Sequence, residues 1–162
     1  MRLSMISFVS SLVLAGSVSA NAGTIVEVAQ GAGQFNTLIA AAQAAGLDGA
    51  LANGENLTVF APTDEAFAAL PDGTVEMLLK PENKDQLIAV LSYHVLPRKL
   101  ASTDLPGRTI HVKTIKGSGD KTLAVSKTSS GVTVDKANVI SADIPADNGI
   151  IHVVDAVLLP SN

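Results

Sequence analysis

Cysteine is absent from this 162-residue chain, so no disulfide staples it and no thiolate binds a metal or attacks a substrate. Tryptophan is absent as well, and one tyrosine and four phenylalanines make up the whole aromatic complement. A surface that stacks unpaired bases needs several aromatic rings, which argues against single-strand nucleic-acid binding. Positive charge is in deficit, with a net charge of −4, and a duplex binder would collect Lys and Arg to neutralise phosphates. No Gly-rich run precedes a helix carrying Lys-Ser or Lys-Thr, so a phosphate loop is missing. Gly117-Ser118-Gly119 is not a nucleophile elbow; it falls between two expected strands and reads as a hairpin turn. His94, His111 and His152 are scattered singly, without the spacing of a zinc site. Asp64 and Glu65 are adjacent, and neighbours on a helix point about 100° apart, a poor acid/base pair. Nothing in these residues points to an enzyme.

What is present is apolar. Hydrophobic residues make up 47% of the chain and charged residues 16%, which excludes intrinsic disorder. The length suits one domain, large enough to bury about two-thirds of its unfolded surface.

The N-terminus reads as a targeting segment. Arg2 is the only charge before Glu27, and an apolar stretch from Ile6 to Gly16 follows it. That stretch is shorter than the ~20 residues a membrane-spanning helix needs. Small residues then offer cleavage after Ala20 or Ala22, the layout of a secretory signal peptide. The expectation is a signal peptide over 1–22, one domain over 23–162, and a secreted or periplasmic protein with no stable membrane insertion after cleavage. Charge in the remainder is segregated: residues 23–97 carry net −7 and residues 98–136 net +5. Such separation can set an acidic face against a basic one, or serve solubility alone.

Periodicity divides the chain into helices first and strands second. Thr24-x-x-Glu27 is a capping box opening a short helix. Phe35, Leu38, Ile39 and Ala42 recur at helical spacing up to a stop at Gly46. Leu57 to Phe60 reads as a buried strand, and Thr63 caps a helix whose first turn holds Asp64 and Glu65. Pro81 opens another helix with Leu87, Ile88 and Leu91 on one face. After Tyr93 the pattern alternates in Ile110-x-Val112, Leu123-x-Val125 and Val132-x-Val134. Ile150 to Leu159 is apolar on both faces, as in a central strand covered on each side. The fold class is α+β. Asp155, inside that run, is expected to be buried and satisfied by backbone N–H groups, hydroxyls, His94 or His152.

Three of these segments carry a resemblance. Thr58 to Phe67 (TVFAPTDEAF), Leu91 to Pro97 (LSYHVLP) and Asn148 to Pro160 (NGIIHVVDAVLLP) resemble, in order and spacing, the signature boxes of the fasciclin domain. The resemblance runs from about Thr24 to Pro160. It implies a strand wedge or sandwich, formed mainly by the C-terminal half and flanked by helices from the N-terminal half. It also implies an exported, non-catalytic module of adhesion or matrix-interaction type without a cofactor. Its partner would be a cell-surface or matrix protein or an envelope component. The family's Tyr-His motif falls on Tyr93 and His94. The Asp-Ile pair that some animal members present to integrins falls on Asp143 and Ile144, between Ala142 and Pro145. These four form the expected adhesion patch, with Thr63, Asp64, His152 and Asp155 as structural polar residues. The alternative is a carrier of a small apolar ligand, a pigment or lipid, since some fasciclin-like proteins bind carotenoids.

Overall fold

Two strands far apart in sequence form the centre of the molecule. In the computed structural model, which describes residues 23–160 apart from 118, 120 and 121, β1 (Leu57–Pro62) runs parallel to β7 (Gly149–Val154) over six residue pairs. Every residue of β7 is buried, because each face of the strand has its own cover. Side chains alternate along a strand, so Ile151 and Val153 pack with Val59 and Ala61 against the helices. Val154 and Phe60 point the other way, into a second core enclosed by the remaining strands.

The helices α1 (Ile25–Ala32), α2 (Asn36–Ala45), α3 (Asp48–Asn53), α4 (Asp64–Ala68), α5 (Thr74–Leu79) and α6 (Lys84–Tyr93) precede most of the sheet. The capping box of α1 is present: the Glu27 amide donates to Thr24, and the Glu27 carboxylate accepts from the Thr24 amide. Gly46 ends α2 with φ +72°, a left-handed conformation that costs glycine little. A single 3₁₀ turn over Pro81–Asn83 precedes α6, so the helix proper starts three residues after the proline.

Five further strands complete one mixed sheet: β2 (Val95–Leu96), β3 (Ile110–Lys113), β4 (Thr122–Thr128), β5 (Gly131–Val134) and β6 (Ala137–Ala146), in the order β2-β1-β7-β6-β5-β4-β3. The two edges meet where the Ile115 amide donates to the Val95 carbonyl at 2.9 Å, so the sheet is nearly closed. The α+β expectation holds; the wedge is a single curled sheet, with β1 contributed by the N-terminal half.

Asparagine 148 shows why the second box matters to the fold. Its side-chain amide donates to the Leu51 and Gly54 carbonyls at 2.6 and 2.9 Å, and its oxygen accepts from the Ile25 amide at 2.9 Å. One side chain thus ties α1 and the end of α3 to the β6–β7 turn. Gly149 beside it lies so close to the Leu57 carbonyl that a Cβ would collide with backbone.

Thr63 is buried and caps α4 by accepting from the Ala66 amide. Asp64 does something the sequence does not announce. Phe35, at the cap position of α2, has no capping side chain, and the Asp64 carboxylate supplies the missing acceptor from another helix. It receives the Thr37 amide at 2.8 Å and the Asn36 amide and side chain at 3.3 and 3.1 Å. Partial burial alone would raise this carboxyl, but the hydrogen bonds from Thr37 and Asn36 hold it below its ordinary value.

Asp155 corrects the sequence expectation. It is exposed, not buried, because β7 ends at Val154 and the chain turns outward. Its carboxylate accepts from the Asn138 amide at 2.8 Å and from the Asn138 side chain at 3.2 Å. It fastens the start of β6 to the end of β7 from the surface, and neither His94 nor His152 is among its donors.

Candidate functional site

Asp143 sits where β6 departs from regular pairing. The β6–β7 register shifts twice, between Val139 and Ser141 and between Ser141 and Ile144. Asp143 adopts φ +57° there, a left-handed conformation that Asp tolerates better than most residues. Its exposed carboxylate accepts from the Ser102 amide at 2.7 Å and from the Ser102 hydroxyl. Its amide donates to Nδ1 of His152 at 3.2 Å, and Nε2 of the same ring donates to the Leu100 carbonyl at 2.7 Å. Lys127 on β4 donates to the Ser102 carbonyl at 3.1 Å. The segment from Leu100 to Ser102 is therefore strapped to the bulge by side chains from three strands. Thr58 holds it from a fourth, donating to the Arg98 carbonyl and accepting the Leu100 amide.

Burial pushes the His152 imidazole below its ordinary pKa, against the Leu100 carbonyl and the Asp143 charge, which act the other way. For Asp143, burial would raise the carboxyl; the Ser102 hydrogen bonds, with His152 and Lys127 nearby, bring it below the ordinary carboxylate value. A serine, a carboxylate and a histidine thus lie together without forming a catalytic triad. The Ser102 hydroxyl faces the carboxylate, and both nitrogens of His152 are spent on backbone groups, so no imidazole is free to take the serine proton. Among the described residues no group of three or more His, Asp or Glu could hold a metal ion.

The four residues of the expected patch do not form one surface. Asp143 is exposed, and Ile144 is half-buried against the helix-side core. Tyr93 and His94 are 3% and 1% exposed, so they support the fold and cannot touch a partner. Tyr93 donates to the Thr122 carbonyl at 2.9 Å. His94 donates from Nδ1 to the Val90 carbonyl at 2.7 Å and accepts the Leu158 amide on Nε2 at 2.9 Å. Burial lowers its pKa to about 4 against the pull of the Val90 carbonyl. Each buried histidine accepts a backbone amide on one ring nitrogen and donates to a carbonyl from the other, so both are neutral, with the proton on opposite ring nitrogens. Ser102, Lys127 and Thr58 are not marked in the sequence, since no local pattern pairs a loop serine with an aspartate 41 positions on or a strand lysine with a serine 25 positions back.

A family model described as the fasciclin domain matches residues 33–160. The chain belongs to the fasciclin domain family. Protein sll1483 of Synechocystis sp. is 48% identical over 150 residues, covering 93% of this chain and 81% of its own. Transforming growth factor-beta-induced protein ig-h3 of Sus scrofa is 44% identical over 138 residues, 85% of this chain but 19% of that much longer one. A solved FAS1 domain pair from the insect cell adhesion molecule Fasciclin I matches with a TM-score of 0.52 at 20% identity, over 82% of this chain and 46% of that one. That likeness shows the fasciclin fold. Among the described residues no helix is long and apolar enough to cross a membrane; the expected signal peptide, residues 1–22, lies outside them.

Proposed function

We propose that this fasciclin domain is an exported, non-catalytic binding module that acts in adhesion, attaching to a cell-surface or matrix protein or an envelope component. The observation that carries the reading is the Asp143 bulge, an exposed carboxylate held on a fixed backbone by Ser102 and His152. A binding group already locked in place loses little entropy on association. Ile144 contributes at most the exposed edge of its side chain, and Tyr93 and His94 stiffen the scaffold from inside. Family membership supports the reading, as fasciclin domains are generally binding modules without catalysis.

The test is binding of the purified protein to envelope fragments of its source, comparing wild type with Asp143→Gly, which keeps the left-handed backbone open and removes the carboxylate. Saturable binding lost in the variant supports the site; equal binding removes Asp143 from it.

A second reading is favoured by one feature, an apolar cleft with a cavity of about 100 Å³ between α1, α2, α3 and β1. A pocket for a drug-sized ligand occupies roughly 300–1,000 Å³, so an apolar guest here is limited to something slim. A pigment would show itself in the visible spectrum of protein purified from its source, and a colourless spectrum removes that class of ligand.

A further inference from the structure

The closure of the sheet gathers charge. β2 and β3 are the two ends of the strand order, and the Ile115–Val95 hydrogen bond joins them. A chain spans at most about 3.5 Å per residue, so the Cα of Lys113 lies within about 7 Å of that of Ile115, and those of Arg98 and Lys99 within about 11 and 14 Å of that of Val95. Lys116 follows Ile115 directly, its Nζ 5.8 Å from the centre of the Tyr93 ring. Val112 points into the enclosed core, so His111 and Lys113 on either side of it face outward. Arg98, Lys99 and Lys113 are exposed and Lys116 is half-buried.

Little opposes these cations. The sequence has no carboxylate between Tyr93 and Thr103 or between Leu105 and Gly119. Asp104 accepts the Ala101 amide at 3.0 Å. Asp143 is bonded to Ser102, and Asp48 lines the apolar cleft with Val95 and Ile115. Among the described residues none of the four cations is ion-paired. A polymer that carries charge along its length can engage all four at once, each contact releasing counterions.

We propose that this seam is a docking surface for a polyanionic glycan, a sugar chain bearing repeated carboxylate or sulfate groups. A group of cations gathered where the ends of β2 and β3 meet matches a linear polymer with charges along its length. A protein partner would be anchored by a central apolar or aromatic cluster, and among the described residues Ile115, 38% exposed, is the one large exposed apolar residue at the seam. The same scarcity of exposed apolar side chains disfavours insertion between lipid headgroups. The surface does not use Asp143, so it stands or falls apart from the reading above.

The experiment measures binding of the purified protein to dextran sulfate, to neutral dextran and to vesicles of anionic phospholipid. Dextran sulfate binding is expected to weaken roughly 50-fold between about 50 and 200 mM salt, taking about 0.7 of a counterion released per contact over four contacts. The triple variant Arg98→Gln, Lys99→Gln, Lys113→Gln is expected to lose binding with an unchanged melting temperature, whereas Asp143→Gly keeps it. If the triple variant melts early, Arg98→Gln and Lys113→Gln singly take its place, each expected to weaken binding several-fold. Undiminished binding by these variants, equal binding to neutral dextran, or binding to vesicles without binding to dextran sulfate overturns the proposal.

Discussion

The imidazole of His94 joins Val90, four residues behind it on α6, to Leu158, 64 residues ahead near the C-terminus. The Tyr-His segment and the second signature box are thus two halves of one buried contact.

Removing that ring orphans a buried carbonyl and a buried amide. His94→Ala is expected to destabilise the fold by about 3 kcal/mol, combining unsatisfied groups with a cavity. Urea unfolding of the purified variant measures this, and a loss below 1 kcal/mol would show that water replaces the ring without cost.

Acid should act through the same residue. The folded pKa of His94, about 4, lies below the ordinary 6.5, so the unfolded chain binds the proton first. The contribution is fully present above about pH 6.5 and is lost as the pH falls towards 4, roughly 3 kcal/mol in all. A stability profile from pH 7 to 4 should slope downward with decreasing pH, and His94→Gln should make it shallower, leaving the part due to His152 and the carboxylates.

Asp155→Ala should cost about 1 kcal/mol, the worth of surface hydrogen bonds to Asn138, and lower the melting temperature by a few degrees. A loss of several kcal/mol in calorimetry would mean that the carboxylate is buried after all.

Asp64→Ala removes the acceptor at the start of α2 and should cost about 1 kcal/mol, as loss of a helix cap does. Because its folded pKa is depressed, the contribution is present above the ordinary carboxylate range and disappears below it. Hydrogen exchange should show faster opening of the Asn36 and Thr37 amides, and unchanged exchange would refute the cap.

Gly149→Ala should prevent folding or destabilise by more than 3 kcal/mol, since its Cβ meets the Leu57 backbone and the β1–β7 pair has no room to part. A circular dichroism spectrum and melting curve close to wild type would show that the strands can shift.

Much of the fold was legible because its signals are local. The Thr24–Glu27 box, the Gly46 stop and the Thr63 cap each depend on residues within four positions, and each forms as read. The doubly buried β7 is visible as a run that is apolar on both faces, interrupted only by His152. Asp155 was misplaced because an apolar run does not reveal where its strand ends: Val154 is the last paired residue, and the next side chain already faces water. The sequence shows Asp64 only as an acidic residue in the first turn of its own helix, whereas its hydrogen bonds go to α2, reached only through the tertiary fold. At the candidate site, the sequence named Asp143 and His152 separately. Their connection through one hydrogen bond and the Ser102 strap depends on a bulge that no spacing encodes.

The pairing of β1 with β7 has a consequence for assembly. Leu57 and Gly149 are partners in register, yet α4, α5, α6 and all of β2 to β6 lie between them in sequence. The central pair cannot close while the last strand is still being made or threaded, so β1 waits without its principal neighbour. Long-range pairing of this kind slows folding, and a chain shortened before Gly149 loses the strand on which both cores rest. The domain is expected to become resistant to protease in one step, only once β7 is free to pair with β1.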